Sequence, residues 1–111
     1  MTDEKNINSV RVNAIETAKD IVSGKIGAIA GSRAMTKLLW QAEISESDPD
    51  LLSFVAIDSE TDDLPVGNEM SHWLPEALQE KDVEIKRCEA LYRQAALDAC
   101  ENIIRRWKDL V

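Results

Sequence analysis

The chain has 111 residues, 44% of them hydrophobic and 31% charged, with a formal net charge of −8. That length suits one domain around a single hydrophobic core, and the mix of apolar and charged residues argues against global disorder. The acidic balance argues against a nucleic-acid or anionic-membrane binder, because both need a basic footprint.

In chain order, the polar start Met1-Thr2-Asp3-Glu4-Lys5-Asn6 lacks the basic-then-apolar pattern of a secretory signal. No apolar stretch approaches the roughly 20 residues that cross a bilayer, so a cytoplasmic protein is expected. Residues 3–23 carry Ile7, Val10, Ala14, Ile15, Ala18, Ile21 and Val22 at helical spacing, with Thr2 or Asp3 placed to cap the start and Gly24 just past the end. A second helix is expected over 26–42, through Ile29, Ala30, Ala34, Leu38 and Leu39. Gly27, Ala28, Ala30, Gly31 and Ala34 would let another helix approach closely. A break near Gly31-Ser32 is the alternative, since each glycine costs a helix about 1 kcal/mol.

Asp48-Pro49 reads as a helix start, with Asp48 at the N-cap and Pro49 in the first helical position. Leu51, Leu52, Phe54 and Val55 then predict a helix of two turns. Residues 57–67 combine turn formers with no periodicity and predict a loop. From Pro75 onwards no proline or glycine follows, and Val83, Cys88, Leu91, Tyr92, Ala95, Ala99, Ile103 and Trp107 form an apolar stripe. A helix over 81–108 would be about 42 Å long, enough to serve as the spine of the domain unless it bends. Strand signals are weak. The expected fold is a single all-α domain, a bundle of four or five helices with a long C-terminal helix and an ordered acidic loop. Cys88 and Cys100 lie about 18 Å apart on that helix, too far to pair. Two lone thiols suit a reducing compartment, and both are expected to be buried.

The charge is uneven. Residues 1–37 hold six bases and four acids, and residues 81–111 hold seven bases and six acids. Between Lys37 and Lys81 there is no Lys or Arg, and eleven acids fall in that stretch: Glu43, Glu46, Asp48, Asp50, Asp58, Glu60, Asp62, Asp63, Glu69, Glu76 and Glu80. Two readings compete. Either the flanking bases fold back and neutralise these acids, or the acids form a docking surface for a basic protein. Such a surface speeds association and weakens with salt.

Other chemistries fit less well. With Asp58 at position 1, Glu60, Asp62 and Glu69 fall where an EF-hand loop places oxygens. Asp63 then occupies the position that needs glycine, and Pro65 follows two residues later. Asp58 with Asp62 is the obvious carboxylate pair for acid–base work, but no metal cluster, phosphate loop or triad accompanies it. Neither an enzyme nor a cofactor is expected, and His72 is expected at the surface or in packing. Of the aromatics, Trp40 and Trp107 fall on apolar stripes and are expected in the core. Trp73, after the acidic loop, is either a packed loop anchor or an interface anchor.

Residues 51–67, above all Ile57-Asp58-Ser59-Glu60-Thr61-Asp62-Asp63-Leu64-Pro65-Val66-Gly67, resemble a family of small, poorly characterised bacterial proteins. The resemblance extends to Trp73, to Leu91-Tyr92-Arg93 and to Ser23-Gly24-Lys25-Ile26-Gly27, and it brings no activity with it. In size, acidity and helical character the chain also looks like the immunity proteins of bacterial toxin–immunity systems, including contact-dependent growth inhibition. That likeness implies a tight complex with the C-terminal toxin domain of a delivered effector, often a basic nuclease. The expected contacts are Asp58, Glu60, Asp62 and Asp63 to toxin Lys, Arg or His, with Glu43, Glu46 and Glu69 at the rim and Trp73 as anchor.

Overall fold

In a computed structural model of the chain, which describes residues 4–66 and 72–110, four helices follow one another. They are α1 (Glu4–Val22), α2 (Ala28–Gln41), α3 (Pro49–Glu60) and α4 (Pro75–Arg106), and a 3-10 turn (Lys108–Leu110) closes the chain. No strand occurs among the described residues, and the fold is an all-α bundle. Every helix contributes to the main core. Ala14, Ala18 and Ile21 of α1 meet Met35 and Leu39 of α2, Leu51 and Phe54 of α3, and Ala99, Cys100 and Ile103 of α4. A smaller cluster of Ile29, Leu64 and Cys88 continues this core towards the start of α4.

The glycine and alanine positions explain how closely the helices pack. Gly24 ends α1 in the left-handed region at φ 85°, where a side chain would be strained. α2 runs unbroken through Gly31, whose amide bonds Gly27 O at 2.8 Å. A Cβ on Gly31 would lie 2.5 Å from Ile21 Cδ1, so the expected close approach is made there by α1. The break near Gly31 does not occur.

Asp48 and Pro49 start α3 as the sequence predicts, but the helix is 12 residues long rather than two turns. Residues 57–60, expected in the loop, are its last turn. Leu51, Phe54, Ile57 and Thr61 are all buried on one face, the Thr61 hydroxyl donating to Ile57 O at 2.6 Å. Beyond it the chain turns, with Leu64 N bonded to Thr61 O at 3.0 Å, and Leu64 and Pro65 are buried.

α4 is the spine. Its 32 residues make about 48 Å of helix, matching a molecule of 46 × 27 × 25 Å. The face it buries is rotated from the predicted stripe. Cys88, Ala96, Ala99, Cys100 and Ile103 are buried, whereas Val83, Leu91 and Ala95 are exposed. Both cysteines are buried and unpaired, as expected. Trp107 packs partly against the core with the Arg11 guanidinium 5.2 Å above its ring, but Trp40 is 48% exposed and is not a core residue.

Candidate partner-binding surface

Three polar contacts between distant segments fix the helix ends, and they decide which acids reach solvent. At the start of α3, Asp48 Oδ1 accepts from the amides of Asp50 (3.0 Å) and Leu51 (3.2 Å). Its Oδ2 lies 2.7 Å from Arg106 Nη1. Asp50, itself buried, accepts from Arg106 Nη2 and from Asn102 Nδ2, both at 3.0 Å. Burial opposes ionisation of Asp48, but the Arg106 hydrogen bond, the Leu51 amide, the Arg106 charge and the Asp50 amide outweigh it and hold the carboxyl below the usual value. The neighbouring Cys100 thiol is pushed up to about 12 by burial and by the charges of Asp50 and Glu101, so it stays protonated.

At the other end of α3, Arg33 of α2 donates to the carbonyls of Thr61 and of Leu64 (2.8 Å), and its Nε lies 3.5 Å from Asp58 Oδ1. The cation therefore caps a helix C-terminus and neutralises a carboxylate together. The third contact is made by Glu89 of α4. Its two carboxylate oxygens accept from the amides of Ala28 (2.7 Å) and Ile29 (3.0 Å), closing the start of α2, where Gly27 offers no side-chain cap. A Cβ on Gly27 would stand 2.7 Å from Glu89 Oε1, which is why this cap needs glycine beside it.

These contacts divide the expected site. Asp58 is not in a loop: it lies inside α3 and faces Arg33. Helical residues two apart point about 200° away from each other, so Asp58 and Glu60 do not converge on one cation, and the EF-hand geometry is lost. Among the described residues, no group of three or more His, Cys, Asp or Glu is placed to hold a metal ion. Glu60 and Asp62 are exposed and make no ion pair among the described residues. Asp63, 62% exposed, stands a loose 3.8 Å from Lys81 Nζ, which also faces Glu84 at 3.6 Å. Trp73 is 36% exposed and Leu74 72% exposed, just ahead of α4. Glu69 lies outside the described residues.

Glu43 and Glu46 are exposed in the turn before α3, and Glu43 adopts φ 59°. The 12 residues of α3, about 18 Å of helix, separate them from Glu60, Asp62 and Asp63. The expected continuous patch is therefore two patches at opposite ends of one helix. The stronger is the corner where α3 ends and α4 begins, to which Glu76 and Glu80 add exposed charge. His72 is exposed, as expected.

Sequence reasoning missed the roles of Arg33, Glu89 and Arg106, because partners 25 to 61 residues away leave no local pattern. It also missed a recess of about 230 Å³ on α4 lined by Leu78, Gln79, Asp82 and Ile85. The i, i+4, i+7 spacing of Leu78, Asp82 and Ile85 was its available signal. No helix among the described residues is long and apolar enough to cross a membrane. Compared with known proteins, the chain matches no family model, no curated protein and no solved structure.

Proposed function

We propose that the chain is a non-catalytic inhibitor that binds and neutralises a basic toxin domain, as an immunity protein does, in the cytoplasm. The observation that carries this reading is the end of α3, where Glu60, Asp62 and Asp63 face solvent and Asp63 lies 3.8 Å from Lys81 of α4, the helix whose approach exposes Trp73 and Leu74. Charges in that setting raise the rate at which a cationic partner is met, and an exposed aromatic is the residue type that holds one. Asp58 is reassigned from partner contact to helix support, because Arg33 engages it. Glu43 and Glu46 become a separate, peripheral patch.

The test is co-expression and co-purification with the product of the neighbouring upstream gene. A stable complex that rescues growth, and that Glu60→Ala/Asp62→Ala/Asp63→Ala weakens with a slower on-rate, is the expected result. No complex and no rescue would remove the immunity reading. A second reading, a generic adaptor domain whose acids only solubilise and pack, draws on the bases that fold back onto Asp48, Asp50 and Asp58. It expects partner binding unchanged by the same three substitutions.

A further inference from the structure

We infer that residues 75–87 of α4 form a separate opening unit: they unwind while residues 88–106 stay docked, uncovering Cys88 and releasing Asp63 from Lys81. α4 outruns the bundle it belongs to. The next longest helix, α1, has 19 residues and spans about 28 Å, against about 48 Å for α4. The buried residues of α4 are Cys88, Ala96, Ala99, Cys100 and Ile103, and no residue from 75 to 87 is buried. Core packing therefore begins at Cys88.

The first part is tied to the rest only at its margin. Ile85 packs partly against the Ile29, Leu64 and Cys88 cluster, and Lys81 Nζ stands 3.8 Å from Asp63 Oδ2. Leu74, at the N-cap, offers the first amides no side-chain acceptor. Within the segment, Lys86 pairs with Asp82 at 2.9 Å and Lys81 with Glu84 at 3.6 Å, and solvent-facing pairs of this kind add little. A helix of about 13 residues is marginal in water without packing. The second part is held firmly, by Glu89 on the amides of Ala28 and Ile29 and by Arg106 on Asp48 and Asp50. Stretches with few buried apolar contacts open at a lower free energy than the whole fold, so the boundary falls at Cys88 and Glu89. Once Ile85 withdraws, Cys88, 8% exposed in the closed fold, meets solvent. Cys100, at 0%, does so only when the bundle unfolds. The two thiols thus report two different openings.

The test labels the full chain with N-ethylmaleimide in native buffer and maps each cysteine after tryptic digestion, which separates residues 88–93 from residues 94–105. Cys88 should react at least about a hundredfold faster than Cys100, and with a shallower dependence on added urea. Gln79→Gly, an exposed change inside the opening unit, should raise the Cys88 rate about fivefold. Arg106→Ala, which loosens only the docked part, should raise the Cys100 rate roughly thirtyfold and leave the Cys88 rate where it was. Equal rates with equal urea slopes would overturn the inference, because α4 would then open as one body. A fast Cys88 rate that Gln79→Gly does not move would overturn it too, since the reagent would be reaching the thiol in the closed fold.

Discussion

The two ends of α3 carry the same kind of residue and use it in opposite ways. At the start, Asp48 and Asp50 are drawn in, capped onto amides and bound by Arg106 and Asn102. At the finish, Glu60, Asp62 and Asp63 stand in water, with one loose ion pair among them. The difference follows from what each end must satisfy. A helix start presents orphan amides that a carboxylate can accept from, whereas a helix end presents carbonyls, which take a cation such as Arg33 and leave nearby acids outside. A run of acids in a sequence therefore overstates the charge available to a partner.

The largest effect that would sharpen this comparison is at the buried end. Arg106→Ala leaves Asp50 buried without its cation and should cost about 2–3 kcal/mol, roughly 10 °C in Tm. A loss under half a kcal/mol in urea denaturation would mean that the two ends do not differ in kind. Glu89→Ala removes the cap of α2 and should cost about 1–2 kcal/mol. Gly27→Ala should destabilise by about 1 kcal/mol in the native chain and become neutral or stabilising once Glu89 is alanine, a coupling that a double-mutant cycle reads directly.

A smaller effect depends on pH. The folded Asp48 carboxyl titrates below its unfolded value, so the unfolded chain takes up a proton first as acid is added. Its stabilisation is complete above about pH 4 and fades as pH falls further. Arg106→Ala should flatten that part of the urea-midpoint profile. Smallest of all, Glu60→Ala and Asp62→Ala should each change stability by no more than about 0.5 kcal/mol. A larger loss would show that the exposed end also supports the fold.

The helical class, the Asp48-Pro49 start, the Gly24 stop and the long last helix were legible because each is a local signal of capping, turn chemistry or period. The last turn of α3 was not, because Asp58-Ser59-Glu60 reads as loop while burial of Ile57 and Thr61, one and two turns beyond Phe54, keeps it helical. The rotation of the buried face of α4 was hidden for a related reason. Val83 and Leu91 are apolar but exposed, and it is the small residues Ala96, Ala99 and Cys100 that are buried against the other helices. The division of the acids into an engaged and an exposed set depends on contacts across 25 to 58 residues, which no short window along the chain contains.

The cap that Glu89 places on α2 also sets an order of events. The first turn of α2 has no acceptor of its own and waits for a carboxylate 60 residues later in the chain. Closing so long a loop is an entropic cost met only once α4 has docked. The amides of Ala28 and Ile29 should therefore gain protection late in refolding, and substitutions there should speed unfolding rather than slow folding. Until α4 arrives, α2 is a helix without a beginning.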